Sequence, residues 1–200
     1  MDTKTQKSSE TLGFDWHLVR IGLHGQVGRF WNSESLVFQR RNRVVCRTAR
    51  GLEVGEIVNS TPSGNVSPAE ADGRLLRRMR PEDELLQGHL SSLSNEVHEE
   101  CEQWLRSQNV DCVLLDVEPL LDGKTLYFHF LTPQSDRIVE QHLDYLTSCY
   151  EQRVAQSEFA KLLTEGCGPG CGTEEAVNGC GSKGGCQTCS LAKACNSKSK

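Results

Sequence analysis

No stretch of this 200-residue chain stays apolar over the roughly 20 residues that a membrane-spanning helix needs, so no such helix is expected. The opening MDTKTQKSSE is polar, and no short apolar run with a small-residue cleavage site follows it. Export is therefore not expected, and a cytoplasmic location is. Several catalytic signatures are also missing: there is no GxxxxGK[ST] phosphate loop and no GxSxG nucleophile elbow. The glycines of GCGPGCG do not follow a strand at the spacing that opens a dinucleotide-binding helix. Aromatic residues make up only 6% of the chain and prolines number six. With 36% hydrophobic and 24% charged residues, the composition is that of a globular protein long enough to bury a core without covalent staples.

Cysteine is what the chain has in excess. Six of its ten cysteines and eight of its eighteen glycines fall between Gly166 and Cys195, in GCGPGCGTEEAVNGCGSKGGCQTCSLAKAC. That segment offers too few apolar groups to offset its own ordering entropy, roughly 1–2 kcal/mol per residue for the backbone alone. In a reducing compartment crowded cysteines point to metal or redox chemistry rather than disulfides. Cys167, Cys171, Cys180, Cys186, Cys189 and Cys195 are the candidate ligands, spaced C-x3-C, x8, C-x5-C, C-x2-C and x5-C. C-x2-C and C-x3-C loops are short enough for two thiolates to meet one metal, and neighbouring glycines let the backbone wrap around it. Lys183 and Lys193 would offset thiolate charge. One C-x2-C flanked by single cysteines resembles an iron–sulfur arrangement more than a zinc ribbon; zinc, or a disordered or transiently oxidised tail, remains the alternative. No histidine stands nearby: His142, the closest in sequence, falls in a helix and is expected to be exposed.

The net charge of −5 is unevenly spread. Arginines gather at Arg40, Arg41, Arg43, Arg47 and Arg50 and again at Arg74, Arg77, Arg78 and Arg80, while Glu82–Glu118 is acidic. Arg40, Arg41, Arg43, Arg77 and Arg78 are candidate anion contacts and RNA is a possible local partner, a secondary reading beside the preferred one of solvated loops and helix faces.

The chain divides into a polar arm (1–13), a β-rich part (14–58), a linker (59–73), an α+β body (74–165) and the cysteine-rich tail (166–200). Short β-like runs at His17–Leu23, Gln26–Trp31, Val37–Gln39, Val44–Thr48 and Glu53–Val58, punctuated by glycine, predict a small antiparallel sheet or half-barrel. Pro81 opens a helix whose Leu86, Leu90, Leu93, Val97, Cys101 and Trp104 form one apolar stripe. Val110–Val117 and Lys124–Leu131 follow as strands joined at Asp122-Gly123, then a helix N-capped by Ser135 and a weaker strand at Arg153–Glu158. That order predicts an α+β fold with a ferredoxin-like α-β-β-α-β body. Cys46, Cys101, Cys112 and Cys149 are assigned to the core. Asp116 and Glu118 alternate along a strand as paired carboxylates would, but nothing in the sequence orients either, and no active site is predicted.

Four separated blocks then carry a family resemblance: VVCRTARGLEVGEIV (Val44–Val58), LRRMRPEDELL (Leu76–Leu86), LLDVEPLLDGKTLYFHFL (Leu114–Leu131) and KLLTEGCGPGCG (Lys161–Gly172). In type and order they resemble the polymerase-suppressor (PSP) C-terminal domain family, whose bacterial members are called RicT or YaaT; the resemblance spans roughly residues 15–172. It implies a non-enzymatic regulatory factor of the cytoplasm. Its implied partners are RicA- and RicF-like subunits in a complex carrying iron–sulfur clusters, which assists an RNase Y-like ribonuclease in RNA processing. It also implies that Cys171 in GPGCG is a cluster cysteine, with Cys167 added by adjacency. The alternative kept beside it is an RNA-binding module with a structural zinc tail, using the arginine clusters on phosphates.

Overall fold

The computed structural model describes residues 15–32, 37–59, 68–131 and 136–160. Five strands, β1 (Asp15–Ile21), β2 (Gln26–Asn32), β3 (Arg43–Thr48), β4 (Leu52–Ile57) and β5 (Gly73–Arg78), close into a barrel in the order β1-β2-β5-β3-β4. Every pairing is antiparallel except β2 with β5, which is parallel. The barrel then gives way to α1 (Pro81–Ser107), β6 (Leu114–Pro119), β7 (Leu126–Phe130) and α2 (Arg137–Gln156). The expected mixed α+β architecture is present, with a closed barrel where an open sheet or half-barrel was anticipated.

Alternation makes the barrel interior. Val19, Phe30, Val44, Cys46, Ile57 and Leu75 point inward from successive strands and are buried to within 2%. Phe38 joins them from outside any strand. Its segment, Val37–Gln39, was expected to be extended and paired, but it is irregular and drops one ring into the barrel against His17, edge-on at 5.6 Å.

GRLLRR (73–78) is the strand that the sequence does not announce. Its two leucines are flanked by arginines, so the apolar signal is short, and its residues read as the end of a linker and the start of the helical body. Instead Phe30 pairs with Gly73 and Cys46 with Leu75, and β5 closes the barrel. Gly73 makes this closure possible: a Cβ there would lie 2.5 Å from the Arg47 carbonyl oxygen and 2.5 Å from Phe30 Cε1. Backbone cannot yield as a flexible side chain does, so Gly73→Ala is expected to cost about 2 kcal/mol or more, a loss of roughly 4–8 °C in thermal midpoint. A calorimetric scan showing no shift would contradict that.

A second core lies between the barrel and the helices. The outward Val45 and Leu76 of β3 and β5 meet Leu86, Leu90, Val97, Cys101 and Leu105 of α1, together with Leu114, Val117, Val139, Leu146, Tyr150 and Val154. The α1 stripe is as predicted up to Cys101; the next buried position is Leu105, while Trp104 is partly buried and stacks on His142 at 4.0 Å. His142 is thus half-buried, not exposed as expected.

The predicted hairpin forms around Asp122, whose Oδ1 accepts from the backbone N–H groups of Lys124 (2.8 Å) and Thr125 (2.9 Å), with Gly123 at φ +70°. Two expectations fail further on. Asp136 caps α2, accepting from Ile138 N–H at 2.8 Å, and Ser135 lies outside the described residues. The strand expected at Arg153–Glu158 does not form: α2 runs to Gln156, burying Tyr150 and Val154 at helical spacing, with Arg153 paired to Glu100 at 2.6 Å. The described body is therefore α-β-β-α, without the last strand of a ferredoxin-like unit.

Candidate functional site

The six cysteines predicted to bind metal, Cys167, Cys171, Cys180, Cys186, Cys189 and Cys195, lie outside the described residues. The other four are placed. Cys46 and Cys101 are buried, Cys112 and Cys149 half-buried. The Cys46 thiol donates to the Glu53 carbonyl oxygen at 3.4 Å. Burial, then the charge of Glu53, pushes its pKa well above the ordinary range. Burial likewise pushes Cys101 up to about 12, and raises Cys112. Each shift favours the protonated thiol over the thiolate, which is the metal-binding form. Among the described residues no group of three or more His, Cys, Asp or Glu side chains is placed to hold a metal ion.

The candidate anion contacts separate into two sets. Arg40, Arg41, Arg43 and Arg78 are exposed around the end of the barrel where β3 begins and β5 finishes, since Val44 pairs with Arg78. Arg43 also reaches Glu84 at 3.4 Å, and Arg78 donates to the Val37 carbonyl. Arg77 departs from the expectation. It is only 8% exposed and turns inward, where its guanidinium grips both carboxylate oxygens of Asp83. Asp83 also accepts from the Arg80 backbone N–H at 2.9 Å, tying the start of α1 to β5. Arg77 is a structural anchor between barrel and helix, unsuited to contacting a ligand.

Where the barrel meets the β6–β7 hairpin, one polar cluster unites residues far apart in sequence. Arg50, in the β3–β4 turn, donates from Nη1 to Glu118 Oε2 and from Nη2 to Glu118 Oε1, both at 2.9 Å. Its Nε reaches Glu53 Oε1 at 3.2 Å, and its guanidinium lies 4.7 Å from the Tyr127 ring centre. Glu118 also accepts from the Leu23 backbone N–H at 3.1 Å and meets His129 Nε2 at 2.9 Å. His129 Nδ1 stands 3.2 Å from His24 Nε2, in the β1–β2 turn. Gly22 permits the approach: it sits at φ +68°, and a Cβ there would come within 3.1 Å of Arg50 and 3.3 Å of Glu118.

Burial alone would raise the Glu118 pKa, but hydrogen bonds from Arg50 and His129 outweigh it and hold the carboxyl below its usual range. Glu118 is consequently an ionised acceptor. Sequence reasoning paired it with Asp116 and found nothing to orient it; the orienting groups are Arg50, His129 and the Leu23 N–H. Asp116 takes no part, accepting instead from its own neighbour, Val117 N–H, at 2.7 Å.

Beside this cluster runs a cleft. A cavity of about 310 Å³ is lined by Glu53, Ser91, Ser94, Asn95, Asp116 and Glu118, among others. A neighbouring one of about 430 Å³ shares Gly22, Leu23, Val54 and Gln87 with it and is rimmed by Arg20, His24, Arg43 and Glu56. The arrangement offers a groove of mixed polar and apolar lining against α1, beside the ion pairs that fix the hairpin on the barrel. Comparison with protein-family models, with curated proteins and with solved structures returned no match.

Proposed function

We propose that this chain is a non-enzymatic regulatory or assembly subunit of the RicT type, in which the cysteines between Cys167 and Cys195 hold an iron–sulfur cluster and the barrel–helix body docks partner proteins concerned with RNA processing. The observation that carries this is the division of sulfur chemistry along the chain. Cys46, Cys101 and Cys112 are thiols whose pKa values are raised chiefly by burial and Cys149 is half-buried in α2, while the other six cysteines sit together in a glycine-rich, apolar-poor segment at ligand spacings. The described body packs two apolar cores from its own side chains, which leaves the tail as the segment for which this reading invokes a metal.

The blocks that carry the family resemblance support the same reading. VVCRTARGLEVGEIV contributes Arg50 and Glu53, LRRMRPEDELL contributes Arg77 and Asp83, and LLDVEPLLDGKTLYFHFL contributes Glu118 and His129. They are the segments that build the two ion-pair systems joining the barrel to the rest.

Cys186→Ser and Cys189→Ser are expected to reduce bound iron and sulfide by more than half in protein purified without oxygen, leaving the far-ultraviolet circular dichroism of the body unchanged. Full metal content in both variants would contradict the assignment; a collapse of helical signal along with the metal would make the tail part of the fold. Arg40, Arg41, Arg43 and Arg78, gathered at one barrel end, favour the second reading, an RNA-binding module with a zinc tail. Colourless protein containing zinc would select it.

A further inference from the structure

We propose that the outer face of the barrel is a platform for single-stranded nucleic acid, with bases stacking on Trp16 and Trp31 and phosphates meeting Arg29, Arg47 and Arg74. The strand registers put these residues together. Trp16 of β1 lies opposite Trp31 of β2, Trp31 opposite Arg74 of β5, and Arg74 opposite Arg47 of β3. Residues directly opposite one another in a sheet share a face, so two indoles and two guanidiniums form one row across four neighbouring strands. At roughly 4.8 Å between strands the row is about 14 Å long. In the next row Leu18 lies opposite Arg29, which is exposed.

That face points away from the barrel core, and Trp16, Trp31, Arg47 and Arg74 are each half-buried on it. His17, Val19 and Phe30, which alternate with the row, are buried, the last two in the barrel core. Side-chain geometry agrees with the register, since the Arg74 guanidinium lies over the Trp31 ring at 5.0 Å. No lysine occurs in any of the five strands; the basic residues are all arginines, whose planar groups stack on rings and bridge phosphate oxygens. Aromatic surface beside arginine charge is the chemistry that holds single strands, where bases are unstacked and free to lie on a ring. Duplex DNA or RNA keeps its bases stacked on one another and would meet only the arginines. The rest of the chain favours a local site over a general polyanion coat, because residues between Glu82 and Glu118 are strongly acidic.

This surface gives the RNA-linked role a place on the molecule, but it rests on the barrel alone: loss of the metal centre would overturn the tail assignment and leave the platform standing. The test is fluorescence anisotropy of a labelled oligouridine of about twelve nucleotides, titrated with the full chain at several salt concentrations. Oligothymidine, a duplex of equal length and heparin are the comparison arms. Single strands are expected to bind at least about tenfold more tightly than the duplex and to quench tryptophan emission in a Trp104→Phe background, where the remaining indoles are those of the barrel. Trp31→Ala is expected to weaken binding about 5–150-fold, Trp31→Phe far less because a ring remains. Arg29→Ala is expected to flatten the log affinity–log salt slope by about 0.7. Tighter binding of the RNA than the DNA adds a 2′-hydroxyl contact to the platform, and equal binding supports recognition through base faces and phosphates alone.

Three results would overturn the proposal: no binding of single strands, duplex or heparin binding as tightly as single strands, or Trp31→Ala folded and binding like the wild type. Should Trp31→Ala not fold, the quench in the Trp104→Phe protein and the Arg29→Ala salt slope decide the matter, and absence of both counts against it.

Discussion

Asp83→Ala is expected to lower the unfolding free energy by about 3–5 kcal/mol, dropping the thermal midpoint by roughly 6–20 °C. Asp83 is 7% exposed and its partner Arg77 8%. Removing the carboxylate leaves a guanidinium buried without its counter-charge, which costs far more than the pair contributes relative to apolar residues of similar shape. The same substitution removes the acceptor for the Arg80 N–H at the first turn of α1. Glu84→Ala, one residue away, is the control. Glu84 pairs with Arg43 across 3.4 Å with both side chains substantially exposed, and its loss should fall below about 1 kcal/mol. Equal effects from the two variants in chemical denaturation would contradict the distinction between anchor and surface pair.

The second large effect belongs to Arg50. Arg50→Ala leaves Glu53, 3% exposed, and Glu118 facing each other across a gap with no cation, and should cost about 3 kcal/mol. The lower end of the buried-pair range applies because the Arg50 side chain is itself 30% exposed. Removing Glu118 as well should recover part of the loss, so the double variant Arg50→Ala, Glu118→Ala is expected to be less destabilised than the two single effects added. A pH dependence accompanies this. The Glu118 pKa is lower in the folded protein than in the unfolded chain, so the stability it contributes is present above the ordinary carboxylate range and is lost as pH falls through its folded value. Glu118→Gln should therefore show a shallower loss of stability toward acid than the wild type. Superimposable acid limbs for the two proteins would contradict the placement of Glu118 as an ionised acceptor.

Elements with their own strong local signal were legible in the sequence. Pro81 followed by Glu82, Asp83 and Glu84, then an apolar stripe, fixed α1; Asp122-Gly123 fixed the β6–β7 turn; short β-like runs punctuated by glycine located β1 to β4. Where the local signal is weak, tertiary context decided. β5 is two leucines among arginines and becomes a strand because β2 and β3 leave it a slot closed over Gly73. Arg153–Glu158 carries a strand-like pattern, yet burying Tyr150 and Val154 in the second core prolongs the helix into it as far as Gln156. Phe38 was recognised as apolar but assigned to a strand, when its place is a plug in the barrel.

The polar cluster was the least legible part. Arg50 and Glu118 are separated by 68 residues, and His24 and His129 by 105, so no spacing in a single sequence brings them together. Glu118 drew notice only through its alternation with Asp116, which proved to be a partner in name alone. Arg77 looked like Arg78 in sequence, and the inward turn toward Asp83 separates them in space. The row of Trp16, Trp31, Arg74 and Arg47 was equally invisible, because it crosses four strands whose order departs from the order of the chain. The cysteine segment is the opposite case: its spacing is readable in the sequence and nowhere in the described fold.

Iron and acid-labile sulfide, assayed together with the visible spectrum of the full chain purified and kept without oxygen, test the central claim most directly. The account predicts brown protein with a broad violet-blue absorption band and both elements in stoichiometric amount, lost when Cys186 and Cys189 are replaced together. Colourless protein containing neither iron nor sulfide would contradict it.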